Sequence, residues 1–240
     1  AMGEADGARQ EEWQHVSYRR RGGGRVRSRG THATVETVAK SEPRGLREKL
    51  RALRSQLEAT AWWRRCVEAV RVAAPRQARI VCYGLGSIFE SRNAQLQLAF
   101  VLALAEALES PSLQVADPVL QDAERAFLAD VGCGAAPDLE RVGLDCVLYM
   151  PHCPHSLYCA LARRFLEEDH SDVVLIGNSF RAYADRALDT DLDPAFRAAA
   201  DRVHEFDLDP GPRDPDLERA FNDTALARWS ATEFPPALDI

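Results

Sequence analysis

A doubly wound, Rossmann-like α/β fold with a mostly parallel sheet is predicted by three observations. Between Arg79 and Gly177, short β-rich runs and helical runs take turns along the chain. That alternation implies parallel strands joined by right-handed crossovers. The strand runs, such as IVCYG and VVLIG, are apolar from end to end, as expected of a sheet covered on both faces. Each run also ends in a cluster rich in glycine, proline or polar residues, and an open parallel sheet brings all such clusters to one edge.

The elements follow in order. Residues 1–45 are expected to be a disordered arm, because RRRGGGRVRSRG buries almost nothing and ordering it would cost backbone entropy without return. From Gly45 the residues Leu46, Leu50, Leu53, Leu57, Trp62, Trp63, Val67 and Val70 recur at helical spacing, and Pro75 follows, so 46–76 reads as one N-terminal packing helix. A strand at 79–84 comes next, then a helix over 93–108 that is apolar on most faces and therefore buried on the sheet. A second strand is read at 113–118 and a helix at 122–130. DCVLYM (145–150) is a third strand, 156–168 a third helix and 172–177 a fourth strand. Beyond Asp185 one amphipathic helix lies within DLDPAFRAAADRVHEF, and Phe206, Leu208 and Phe221–Trp229 return toward the sheet. The α/β domain is thus placed at 77–240, with an acidic C-terminal extension.

Composition narrows the partners. The longest apolar stretch, Leu96 to Leu108, is interrupted by Gln97 and Glu106 and falls short of the roughly 20 residues a bilayer needs, so no membrane span is expected. The N-terminus has no apolar signal region, and a cytoplasmic location is expected, with nuclear entry through the basic arm. The net charge of −7 argues against nucleic acid as a partner of the folded part. Only Arg19, Arg20, Arg21, Arg25, Arg27 and Arg29 offer weak contacts to phosphates. Six cysteines with no C-x-x-C pair are expected to be reduced and mostly buried.

Four loops carry the candidate chemistry. GLGS places Gly84 and Gly86 where a tight turn lets backbone approach a ligand, with Ser87 as a hydroxyl donor and the next helix as an anion site. The third glycine of a dinucleotide fingerprint is replaced by Phe89, so a simple tight turn is the competing reading. Asp117 stands where this fold class holds ribose hydroxyls, or else its carboxylate caps the Asp-Pro turn. In PHCPH, His152, Cys153 and His155 supply donors of the types that bind zinc or haem iron. A closed zinc site needs about four ligands, and no second cluster lies near. Cys153 and His155 are the haem-iron candidates. His152 or His155 as an acid–base group and a merely locked turn are the other readings. In GNSF, Asn178 and Ser179 either contact a ligand or cap the next helix. Ser179 as a nucleophile needs a base, and His152 or His155 is one strand away.

Taken together, CYGLGS, QLQLAFVLAL, ADPVLQDAE, LYMPHCPHSLY and VVLIGNSFRAY resemble the sensitivity-to-red-light-reduced (SRR-like) family over about Ile80 to Tyr183. The entry from Trp13 to Arg20 is of the same type. Gly84, Gly86, Asp117, Glu124, His152, Cys153, Asn178 and Ser179 fall on its motif positions. The resemblance implies a regulatory role in circadian clock output and in control of haem biosynthesis, and it implies no reaction. After Tyr158 the chain departs from the family pattern, with CALARRF in place of a segment containing asparagine and tryptophan. Two expectations follow. One is a regulatory protein binding haem or a small anionic ligand at the rim. The other is an enzyme handling a nucleotide or phosphate ester in the same cleft, with His152 as acid–base catalyst.

Overall fold

A computed structural model of the chain describes residues 42–143, 145–167, 173–186, 192–211 and 214–229. The basic arm expected over 1–45 lies outside these residues except for 42–45, as does the end of the acidic extension.

The chain opens with two helices, α1 (Leu46–Glu58) and α2 (Ala61–Ala73), where one was expected. Thr60 makes the break. Its backbone is extended, and its side chain accepts from the Trp63 N–H, which starts a fresh helix. The break lets both helices bury their stripes. Leu46, Leu50, Leu53 and Leu57 of α1 are all buried, each stabilising by roughly 2 kcal/mol relative to exposure. On α2, Trp62 and Trp63 pack on Phe100, and Trp62 also donates to the Leu208 carbonyl at 2.6 Å.

The α/β unit then runs β1 (Arg79–Tyr83), α3 (Arg92–Ala107), β2 (Leu113–Ala116), α4 (Asp122–Asp130) and β3 (Cys133–Ala135). A 3-10 turn at Leu139–Arg141 leads to β4 (Cys146–Met150), α5 (His155–Glu167), β5 (Val174–Asn178) and α6 (Phe180–Arg186). The last part is α7 (Pro194–Arg202), β6 (His204–Asp207), α8 (Pro215–Phe221) and β7 (Thr224–Arg228).

The seven strands form one sheet in the order β3-β2-β1-β4-β5-β7-β6. All pairs from β3 to β5 are parallel, while β7 is antiparallel to both β5 and β6. The fold is therefore the mostly parallel α/β class. Alternate residues feed two cores. Ile80 and Cys82 of β1 join α1–α4 and α8 on one face, whereas Val81 and Tyr83 join α5–α7 on the other. Strands that must be apolar on both sides read as continuous apolar runs, as β1, β4 and β5 do. Among the described residues, no helix is long and apolar enough to cross a membrane.

Candidate functional site

The strand order changes direction between β1 and β4. From β1 the chain builds outward to β2 and β3, and from β4 it builds the other way to β5. In an open α/β sheet, the crevice outside the carboxyl ends of the strands at such a switch point is where ligands bind. The four loops singled out in the sequence all meet there, because β2, β1, β4 and β5 run parallel. Direct contacts join them.

The glycine loop is tied from two sides. Gly84 and Gly86 both adopt left-handed backbone, with φ of 73° and 78°. A Cβ on Gly84 would collide with the Cys153 sulfur, so the β1 loop and the β4 loop close on one another at that glycine. The Cys153 thiol also donates to the Tyr83 carbonyl at 3.4 Å. The Gly86 N–H donates to Asp117 Oδ2 at 2.8 Å, and Asp117 Oδ1 accepts from Val119 N–H at 2.8 Å. Ser87 donates to Glu124 Oε1 at 2.6 Å, which accepts from the Phe89 N–H as well, while Oε2 accepts from Gln121 N–H. Glu124 is almost wholly buried.

These bonds occupy donors of the anion cradle expected at GLGS. The Gly86 N–H and the Ser87 hydroxyl, the two donors a phosphate would use, already face carboxylates. Nor does a helix open directly from the glycine pair. It begins at Arg92, where Ser91 accepts from its own Ala94 N–H at 3.2 Å. The GNSF loop tells the same story. Ser179 Oγ accepts from Ala182 N–H at 3.0 Å, which caps α6, and donates to Glu205 Oε2 at 2.8 Å. Glu205 Oε1 accepts from the Phe180 N–H at 2.6 Å. Ser179, which as a nucleophile would need His152 or His155 as its base, bonds to Glu205 and to the helix it caps.

The β4 loop is the most constrained. Its His152 has left-handed backbone with φ of 52°, rare for a residue with a Cβ. Its N–H donates to Asn178 Oδ1 at 3.0 Å, which holds the turn against β5. Tyr158 completes the tie by donating to the Met150 carbonyl at 2.5 Å and accepting from the Asn178 N–H at 2.7 Å. The hydroxyl passes so close to Gly177 that any side chain there would meet it at 2.5 Å.

His152 as a residue is exposed, yet one end of its ring lies against the Ala220 carbonyl of α8, with Nε2 at 3.1 Å. A carbonyl only accepts, so Nε2 carries the proton and Nδ1 keeps its lone pair. Enclosure of the ring pulls its pKa below the usual histidine range, against the opposing pull of that carbonyl and of Asp223. The imidazole is neutral at pH 7. His155 lies elsewhere, stacked on Tyr183 at 4.7 Å and edge-on to Phe196 at 4.6 Å.

The two haem-iron candidates have different surroundings. Cys153 is buried against Gly84, and burial, then the nearby Asp117, pushes its thiol up, away from the thiolate that iron needs. His155 is held in an aromatic clamp. Among the described residues no group of three or more metal-ligating side chains gathers. A cavity of about 420 Å³ lies at the opposite, amino edge of the sheet, between α1, α3 and the start of β2, lined by Arg47, Arg51, Leu50 and Leu113 among others.

The family model described as the SRR1 domain matches residues 47–228, well over half of the chain. This chain belongs to the SRR1 domain family. Its match runs from α1 through β7, wider than the motif region between Ile80 and Tyr183. A mouse SRR1-like protein is 36% identical over 118 residues, 46% of this chain and 47% of the mouse protein. The Arabidopsis thaliana protein SENSITIVITY TO RED LIGHT REDUCED 1 is 32% identical over 117 residues, 46% of this chain and 42% of the plant protein. Each match thus spans less than half the length of the relative. Among solved structures, the plantazolicin methyltransferase BpumL is similar with a TM-score of 0.32 and 9% identity, over 77% of this chain and 99% of that one; at that score the likeness carries no argument.

The SRR1 motif residues are thus largely bonded to one another. Three contributors escaped the sequence reading. Tyr158 stands in the quoted motif LYMPHCPHSLY but carries no signal of its hydroxyl's target. Gly177 reads as a turn glycine, whereas its role is to make room for Tyr158. Glu205 sits in a polar run far along the chain, and nothing local marks it as the partner of GNSF.

Proposed function

We propose that this SRR1-domain chain is a regulatory protein that reads a small, hydrogen-bond-donating ligand in the crevice outside the ends of β1 and β4. The observation that carries this reading is the filling of the rim's own donors. Gly86 N–H, Ser87 Oγ and Phe180 N–H already face Asp117, Glu124 and Glu205, so what remains is acceptor capacity: the His152 Nδ1 lone pair, and the second lone pairs of the two Asp117 oxygens, each of which already accepts one backbone N–H. A ligand bearing hydroxyl or amine donors complements such a rim, and a phosphate does not. Asp117 also ends the strand from which this fold class recognises ribose hydroxyls, which favours a nucleoside over a dinucleotide. Haem is given second place because Cys153 is buried with its thiol pushed up and His155 is held between Tyr183 and Phe196. The name of the Arabidopsis relative supports an output in light response, and family resemblance supports clock output, with the protein acting in cytoplasm and nucleus.

Thermal unfolding of the full chain with adenosine, inorganic phosphate and haemin tests the reading. Ligand at a hundred times its Kd stabilises by about 2.7 kcal/mol, a rise of roughly 5–10 °C for a chain of this size. Adenosine is expected to raise Tm and phosphate to leave it unchanged. A rise with phosphate or haemin, and none with adenosine, would overturn the ligand class. A second reading, an enzyme handling a nucleotide or phosphate ester with His152 as acid–base catalyst, is favoured by the neutral and exposed imidazole alone.

A further inference from the structure

The carboxyl edge of the sheet is acidic where a phosphate site would be basic. Asp117, Glu124 and Glu205 accept from N–H and O–H groups of the rim loops, the pattern of ionised carboxylates. Among the described residues, none of the three stands in an ion pair with arginine, lysine or histidine. Asp223 differs, since Arg186 lies 2.6 Å from it. The first helical turns that a phosphate would seek are closed from within. Ser91 caps α3, Glu124 accepts from the Gln121 N–H at the start of α4, and Glu205 takes the Phe180 and Arg181 N–H groups of α6. A surplus acceptor also lies against the glycine loop. Gln95 of α3, only 5% exposed, donates its amide to the Ile88 carbonyl at 2.8 Å, and its Oε1 accepts from no described group.

The sheet limits the length of the ligand. A dinucleotide fold has two parallel halves of three strands each. The half built from β1 is complete as β1, β2 and β3. The half built from β4 stops at β5, where the reversed β7 takes the next place. The framework for a second nucleotide is therefore incomplete.

We infer that the nucleoside read in this crevice carries a positive group at its 5′ end, an ammonium or sulfonium, where a nucleotide has phosphate; the charge assignment rests on the nucleoside reading above. Ribose hydroxyls donate to the second lone pairs of the Asp117 oxygens. The 5′ cation sits in the combined negative field of Asp117, Glu124 and Glu205, and an ammonium has the His152 Nδ1 lone pair as a further acceptor. A phosphate in the same place would meet carboxylates instead of guanidinium groups.

The test is calorimetric titration of the full chain at pH 7 with three ligands that differ only at the 5′ carbon. They are 5′-amino-5′-deoxyadenosine, adenosine and adenosine 5′-monophosphate. The amine is expected to bind roughly tenfold more tightly than adenosine, and the monophosphate roughly tenfold more weakly. Asp117→Asn, its fold checked by circular dichroism, is expected to lose about tenfold or more for the amine and for adenosine alike. A monophosphate that binds as tightly as adenosine, or an amine that binds no tighter, would overturn the charge and leave the nucleoside reading standing. Binding by none of the three would overturn both. Undiminished affinity in folded Asp117→Asn would put the ligand elsewhere and overturn the assignment even with the charge order intact.

Discussion

Gly84 bears no side chain because the Cys153 sulfur stands where one would be. That single contact explains why a glycine ends β1 and a cysteine sits between two prolines after β4, a pairing no local pattern announces. Gly84→Ala must strain a left-handed backbone and push the sulfur aside, and is expected to destabilise by about 2–4 kcal/mol in denaturant unfolding. Cys153→Ala on top should recover part of that loss, giving a double-mutant cycle with clear coupling between two residues 69 positions apart. Strictly additive losses would show that the contact does not set the glycine. The sequence marked Gly84, Gly86, Asp117, His152, Cys153, Asn178 and Ser179 as special, and it was silent on why. Residue type is local, whereas the partner of each lies on another loop.

At the scale of elements, continuous apolar runs made β1, β4, β5 and α3 legible, since burial on both faces leaves few polar positions to confuse the pattern. What stayed hidden lies where burial is partial. β3 is a three-residue piece with two exposed positions, and β6 is HEFD, polar enough to pass for a loop. The α1–α2 break was missed because the apolar spacing runs on through Thr60 with no glycine or proline to mark it. The β4 loop and α5 carry the pH dependence. His152 and His155 both have folded pKa values below the free one, chiefly through burial. Below about pH 6.5 the unfolded chain therefore binds more protons than the folded one. Stability from these residues is full above pH 6.5 and falls as pH drops through that value toward the folded pKa values. The urea midpoint is expected to be lower at pH 5.5 than at pH 7.5, and a combined His152→Gln and His155→Gln variant should flatten that slope. An unchanged slope would place the acid sensitivity elsewhere.

The whole molecule is a sheet with a protected middle and weak margins. β1, β4 and β5 are almost wholly buried, while β3 and β6 flank the sheet with exposed positions. Amide hydrogen exchange should follow that gradient, with β1, β4 and β5 exchanging last and β3 and β6 first. Equal protection across the sheet would contradict the stated order. The parallel middle could be anticipated from alternation alone. The antiparallel return could not, because TALAR reads equally well in either direction and only its partners fix the sense.

That return also sets a timetable for biosynthesis. β6 emerges from the ribosome before β7, yet β7 is its neighbour and stands between it and the rest of the sheet. Until Thr224–Arg228 has been made, β5 shows a bare flank and β6 has no strand to join. The nascent polypeptide thus carries an open sticky edge from the synthesis of β5 until that of β7, and β7, the last of the described strands, then slides between two waiting ones and covers the β5 flank.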